Sequence, residues 1–154
     1  MKILTLIDSE SYSDVLYYAF ETKEEAIKLV ANFADETMKL ETEENKYGTR
    51  IVYDDGKGYF VVGQTFEVPD YLPYVVVKHH AYDGVDFDMV GSARDFSDAK
   101  LVCHAAAADL VDDIDSIDYD GDDQFIYDNG NEWDVVTVLD FSMALAQQKT
   151  KEAA

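Results

Sequence analysis

Apolar and polar positions along the chain predict the same set of elements twice in succession. Residues 3–7 and 15–20 are rich in β-branched and aromatic side chains and predict two strands. Apolar residues at helical spacing then predict a helix that begins after Thr22. Two further runs, 50–53 and 59–62, flank an Asp-Asp-Gly segment, which is typical of a hairpin turn. The first half is therefore predicted to be strand, strand, helix, strand, strand.

The second half repeats this order. Tyr53-Asp54-Asp55-Gly56 recurs as Tyr127-Asp128-Asn129-Gly130 at an offset of 74 residues. Thr22-Lys-Glu-Glu25 has the pattern of a helix capping box, and Asp95-Phe-Ser-Asp98 stands in the matching place at an offset of 73. Matching strands are predicted at residues 74–79, 87–91, 125–127 and 133–139. We interpret this recurrence as an internal repeat.

The two predicted helices each carry one apolar face suited to covering a sheet. The predicted inward residues are Ala26, Leu29, Val30, Phe33 and Thr37 in the first helix, and Ala99, Val102, Cys103, Ala106 and Leu110 in the second. The predicted fold is α+β, with two tandem ββαββ repeats in a pseudo-twofold arrangement and antiparallel sheet or sheets covered by two helices. The predicted segments are a first repeat (1–68), a Pro-bounded linker (69–73), a second repeat (74–141) and a short C-terminal helix (142–154).

Composition supports a folded chain and limits its function. The 154 residues are 47% apolar, which is ample for a packed core, and the single cysteine excludes an internal disulfide framework. No run of residues is long and apolar enough for a membrane span or a signal-peptide core, so a cytoplasmic protein with no membrane partner is expected. The net charge of −21 is far larger than solubility requires.

The excess negative charge is concentrated in the second repeat. Residues 1–72 contain 15 acids and 7 bases, whereas residues 73–154 contain 18 acids and 5 bases. Between Lys100 and Lys149 there is no Lys or Arg, whereas an ordinary solvated surface mixes both signs. The predicted partner-binding surface comprises the acids and one tyrosine of this tract: Asp109, Asp112, Asp113, Asp115, Asp118, Tyr119, Asp120, Asp122, Asp123, Asp128, Glu132 and Asp134.

The spacing of these acids indicates one kind of partner. If Asp118, Asp120 and Asp122 lie in an extended segment, their side chains fall on one face at intervals of about 6.6 Å, close to the spacing of successive phosphates on a nucleic-acid strand. The chain resembles DNA-mimic inhibitors in charge, size and aromatic content, although it has no shared motif with them. Known members of this class tend to be small phage or mobile-element proteins that block restriction enzymes, CRISPR effectors, nucleoid proteins or repair enzymes, and they share no common fold. The resemblance implies a basic nucleic-acid-binding protein as partner, and no direct contact with nucleic acid.

The sequence offers little support for a metal site or a catalytic centre. Asp118-Tyr-Asp-Gly121 resembles half of a calcium loop, but Tyr127 stands where the loop needs a bidentate Glu. The three histidines do not have metal-ligand spacing, and Cys103 lies on an apolar helix face. No catalytic residue, metal or cofactor is therefore predicted. A structural or assembly component, an acidic surface adapted to high salt, and an aspartate-based metal enzyme remain alternatives, and an exposed edge strand leaves a homodimer open.

Overall fold

Two antiparallel sheets and three helices make this an α+β protein. The structure, a computed structural model, describes residues 1–11, 14–81, 84–110, 119–120, 123–128 and 132–153. The chain divides into two compact units, Met1–Glu67 and Val68–Ala154, and each unit contains one of the sheets.

The first unit has the element order strand, strand, helix and three strands. Its elements are β1 (Lys2–Asp8), β2 (Leu16–Phe20), α1 (Lys23–Ala31), β3 (Lys39–Glu44), β4 (Thr49–Asp54) and β5 (Phe60–Glu67). The strands pair antiparallel in the spatial order β2-β1-β5-β4-β3. The edges of this sheet are therefore β2 and β3.

The second unit has the same connectivity. Its elements are β6 (Tyr74–Ala81), β7 (Val85–Ala93), α2 (Phe96–Leu110), β8 (Tyr119–Asp120), β9 (Gln124–Asp128), β10 (Trp133–Asp140) and α3 (Ser142–Ala153). The spatial order β7-β6-β10-β9-β8 matches that of the first sheet strand for strand, although β8 has only two residues. The predicted C-terminal helix is confirmed, and each unit begins with the predicted strand, strand and helix. The predicted pseudo-twofold arrangement of the repeats stays a prediction.

The predicted repeat was one strand too short in both halves. Each unit has three strands after its helix, so the order is ββαβββ and not ββαββ. Strand β3 was missed because all six of its residues are exposed and four of them are charged, which removes the apolar alternation that marks a strand. It forms through backbone pairing with β4, which begins at Glu44 opposite Thr49.

The predicted helix starts are confirmed by side-chain caps. The Thr22 hydroxyl accepts a hydrogen bond from the Glu25 backbone N–H at 3.2 Å, and the Glu25 carboxylate accepts one from the Glu21 N–H at 2.9 Å. In the second unit the Asp95 carboxylate accepts from the Asp98 N–H at 2.9 Å. The bonds to Thr22 and Asp95 satisfy donors that the first turn of a helix leaves without intrahelical partners, and the bond to Glu25 holds the residue that precedes the cap. None of the helices in the described ranges has the length and apolar character needed to cross a bilayer.

The inward face predicted for the first helix was partly wrong. Helix α1 ends at Ala31 and is capped by Asn32, so Phe33 and Thr37 lie beyond it and are exposed. A hydrogen bond from the Thr37 N–H to the Asp35 carboxylate closes a local turn there, which competes with continuation of the helix. Ala26 and Val30 are fully buried as predicted.

Each helix packs on one face of its own sheet. In the first unit, α1 buries Ala26 and Val30 against Leu4, Leu6 and a few further strand residues. In the second unit, α2 buries the predicted residues Ala99 and Cys103, together with Ala107, against strand residues that include Phe125 and Val136. We call this side of each sheet its helix face.

Candidate functional site

The structure describes some of the residues predicted to bind a partner, and the others lie outside the described ranges. Asp112, Asp113, Asp115, Asp118 and Asp122 lie outside the described residues. Tyr119 and Asp120 form β8, and Asp128 is the last residue of β9. Asp109 and Asp123 are exposed, while Glu132 and Asp134 are half-buried. The predicted one-face alignment of Asp118, Asp120 and Asp122 stays a prediction.

An acidic row of the expected geometry lies on β7, upstream of the predicted tract. Val85 and Phe87 of this strand are buried, while Asp86 and Asp88 between and after them are exposed. Residues two apart on a strand project to the same face at a spacing of about 6.6 Å. Because β7 is an edge strand, these two carboxylates are accessible on an open border of the sheet.

The neighbouring strands add a histidine and a third carboxylate to this row. His80 on β6 lies directly opposite Asp86 on one side and Asp134 on the other. The His80 Nδ1 atom is 2.8 Å from the Asp134 Oδ1 atom, and the two side chains are 37% and 19% exposed. At one end of the second sheet, the His80 imidazole therefore lies between Asp86 and Asp134 of the two neighbouring strands.

Lys78 completes this group, opposite Asp88 on β7 and Val136 on β10. Since directly paired residues project to the same face and Val136 contacts α2, the group lies on the helix face, at the end nearest the β6–β7 connection. Three aspartates and one lysine give it a formal charge of −2 with His80 neutral. We call Lys78, His80, Asp86, Asp88 and Asp134 the sheet-end cluster.

The internal repeat provides a test of whether the fold needs these charges. Strand registers align the two units, because Lys2 opposite Glu67 in the first unit matches Tyr74 opposite Asp140 in the second. The offset is therefore 72 residues between β1 and β6, and 73 between β5 and β10. Positions in one sheet can be compared directly with positions in the other.

Three charged members of the sheet-end cluster replace apolar residues of the first unit. The aligned substitutions are Lys78 for Leu6, Asp88 for Leu16 and Asp134 for Val61. Leu6 and Val61 are fully buried in the first unit, so the same topology accepts an apolar core at these places. The charges of Lys78, Asp88 and Asp134 are thus not required by the fold, whereas His80 and Asp86 align with acids of the first unit, Asp8 and Asp14. Positions that depart from local structural consistency are where functional residues are expected.

In the first unit, acidic residues are interleaved with bases. Glu44 accepts a hydrogen bond from Lys23 Nζ at 3.0 Å, and this contact, together with the Thr49 hydroxyl, lowers the pKa of the Glu44 carboxyl. Glu43 lies opposite Arg50 beside a shallow groove of about 440 Å³. This mixed pattern is that of an ordinary solvated surface.

Sequence reasoning missed His80, Asp86 and Asp88 as site residues. They lie about fifty positions before Asp134 and join it only through the β7-β6-β10 strand order. The alternation of Val85-Asp-Phe-Asp88 was the available signal, since it predicts two outward carboxylates on one strand. Among the described side chains, no group of three or more His, Cys, Asp or Glu is arranged to hold a metal ion.

Cys103 is buried between α2 and the helix face of the second sheet. Its burial was predicted from its position on the apolar face of the helix. It is fully buried, and its Sγ atom is 3.7 Å from the Val136 carbonyl oxygen. Burial, with the negative charge of Asp123 acting in the same direction, raises the pKa of the Cys103 thiol to about 12. The thiolate is the reactive species, so this environment suppresses reactivity.

We therefore expect Cys103 to react with a disulfide reagent such as DTNB about a thousandfold more slowly at pH 8 in the folded protein than in urea. The measurement is the absorbance of released thionitrobenzoate, which reaches one equivalent because the chain has a single cysteine. Rapid reaction of the folded protein would contradict the buried placement.

Comparisons of this chain with protein-family models, curated proteins and solved structures gave no match.

Proposed function

We propose that this chain is an acidic decoy that occupies the nucleic-acid-binding groove of a basic protein. The observation that carries the proposal is the exposed pair Asp86 and Asp88 on edge strand β7. Their spacing of about 6.6 Å on a rigid strand is close to that of successive phosphates. A groove that binds nucleic acid is lined with Lys and Arg placed to contact phosphates at such intervals.

The sheet-end cluster gives this acidic surface width as well as length. Asp134 lies two strands in from Asp86, at a distance of about 10 Å given the usual strand separation. The acidic tract from Asp109 to Asp134 supplies further carboxylates, with no Lys or Arg among them. A sheet fixes the positions of its carboxylates before binding, so little side-chain entropy is lost when the partner arrives.

The net charge of −21 suits this role in two ways. It attracts a basic partner over a distance and raises the association rate, and it repels nucleic acid itself. We also propose that the protein comes from a phage or a mobile element. Its proposed location is the cytoplasm, where restriction, CRISPR and nucleoid proteins act. The contacts are screened by salt, so binding is expected to weaken steeply as ionic strength rises.

The test begins with tagged protein incubated with host-cell lysate at about 50 mM salt and eluted in steps toward about 500 mM. Proteins in the eluate are identified by mass spectrometry, and the dominant basic protein is purified. Its binding to a labelled duplex or single strand is then measured with increasing amounts of this chain. We expect the chain to displace the nucleic acid at close to stoichiometric amounts.

Matched variants locate the contact surface. Asp86→Asn with Asp88→Asn is expected to weaken displacement at least about tenfold, because both lost charges face the groove. Glu41→Gln with Glu43→Gln makes the same change in charge on an edge strand of the first unit, and is expected to have little effect. Equal losses from both pairs would contradict the assignment to the second unit, and nucleic acid that stays bound at saturating chain would contradict the decoy function itself.

A further variant tests the predicted tract. Asp118→Asn, Asp120→Asn and Asp122→Asn together are expected to weaken displacement as strongly as the β7 pair. If they have no effect while the β7 pair does, the contact surface is the sheet-end cluster alone.

A further inference from the structure

We propose that two copies of this chain pair antiparallel through strand β2 of the first unit. Strand β2 is an edge of its sheet, and its sequence, Leu16-Tyr-Tyr-Ala-Phe20, contains no charged residue. Leu16 and Tyr17 are 37% and 39% exposed, and Ala19 is also exposed. A strand edge with apolar side chains and no charge is a template for another strand.

The other edges in the described part of the chain carry the features that block such pairing. Strand β3 has all its side chains exposed and contains three glutamates. Strand β7 has the exposed Asp86 and Asp88 and a register shift opposite Val76 and Val77, and β8 contains Asp120. Charges and bulges on edge strands are the usual protection against association, and β2 lacks the charges.

The distribution of charge on the sheet edges favours a second copy of the chain as the partner at β2. A protein of charge −21 attracts basic partners through its carboxylates, and β2 offers none. Another molecule of the same charge can approach closely only where no carboxylates face each other. In a twofold pair each strand lies against its own copy, so an acidic edge such as β3 would place like charges together and β2 would not.

Antiparallel pairing centred on Tyr18 places Leu16 opposite Phe20 and Tyr17 opposite Ala19 across the twofold axis. The acids that flank the strand do not meet, because Asp14 falls opposite Thr22 and Glu21 falls opposite Val15. The first-unit sheets of the two copies would then continue into one sheet of ten strands.

The dependence on salt concentration distinguishes this dimer contact from the contact with a basic protein. Two copies of charge −21 repel each other, and added salt screens that repulsion while leaving backbone pairing and apolar contact intact. Dimerisation is therefore expected to strengthen as salt rises, whereas binding to a basic protein weakens. The dimer does not rest on the decoy function, and either can fail without the other.

The experiment is sedimentation equilibrium of the purified full chain, over a range of protein concentrations, at about 50 mM and about 500 mM salt. We expect a monomer–dimer equilibrium whose dissociation constant falls at least severalfold at the higher salt. Ala19→Lys is expected to give a monomer, because a charge on the edge blocks strand pairing. Ala19→Thr retains a residue that favours strands and is expected to keep the dimer.

Leu40→Lys on the exposed edge strand β3 is the matched control and is expected to leave the dimer unchanged. Far-UV circular dichroism and a thermal melt establish that each variant is folded. A chain that stays monomeric at every concentration and salt would overturn the proposal, as would a dimer that survives Ala19→Lys or is lost in Leu40→Lys.

Discussion

Replacing Gly63 by Val is expected to destabilise the first unit by about 3 kcal/mol, because the helix and the sheet approach too closely there for a side chain. A Cβ atom at Gly63 would lie 2.7 Å from Val30 Cγ2 on α1 and 3.1 Å from Leu4 Cδ1. Val30 is β-branched and fully buried, so its methyl group has little freedom to move aside.

The second unit shows how this overpacking is relieved. Val136 is aligned with Gly63, and Cys103 is aligned with Val30, both at an offset of 73 residues. The larger strand residue there is accommodated by a smaller helix residue, with Cys103 Sγ resting against the Val136 backbone. The smaller helix residue therefore offsets part of the volume that the larger strand residue adds.

The double variant Gly63→Val with Val30→Cys is therefore expected to be more stable than the sum of the single variants predicts, by about 1–2 kcal/mol. The measurement is the free energy of unfolding from urea titration followed by far-UV circular dichroism. In the second unit, Cys103→Val alone should be destabilising for the same reason. Additive effects of the two substitutions would show that Gly63 and Val30 do not share one packing site.

Replacing Gly48 by Ala is expected to cost about 2–4 kcal/mol, from backbone strain and a steric conflict together. Gly48 has φ 154°, and an added Cβ would clash with the Thr65 hydroxyl oxygen and lie 2.9 Å from the Thr65 carbonyl oxygen. That hydroxyl accepts a buried hydrogen bond from the Thr49 N–H at 2.7 Å, so moving it aside leaves a buried donor unsatisfied.

Gly56 provides the matched control for the Gly48 substitution. It has φ 74° in the β4–β5 turn, and nothing lies within 4 Å of an added Cβ. Gly56→Ala is expected to cost only about 1–2 kcal/mol, from the positive φ alone. Unfolding free energies of the two variants are compared under the same conditions. If Gly56→Ala proves as damaging as Gly48→Ala, contact with Thr65 is not the cause of the larger loss.

The candidate site illustrates where sequence reasoning stops. The acidic excess of the second repeat and the membership of Asp134 in a strand follow from the sequence alone. The meeting of Asp134 with His80 and Asp86 does not, because it depends on β6 lying between β7 and β10. Long-range strand order is a property of the folded sheet, and it cannot be deduced from the charges counted along the chain.

The sequence by itself determined the helix starts, the main strands of each unit and part of the apolar core. Helix caps such as Thr22 and Asp95 are local, since a side-chain oxygen and a backbone N–H three residues apart are enough to form them. The buried positions Ala26, Val30, Ala99 and Cys103 of the two helices followed from periodicity for the same reason. These features depend on neighbours within a few residues, which the sequence shows directly.

Only the tertiary structure decided the third strand of each unit, the end of α1 and the identity of the sheet edges. Strand β3 has no apolar face and exists because β4 offers backbone partners to it. An edge position also leaves the uncharged strand β2 unpaired on one side and exposes Asp86 and Asp88 of β7 as an acidic row. Backbone pairing and strand order bring together residues far apart in sequence, and this is why folding, and not composition, sets which charges act together.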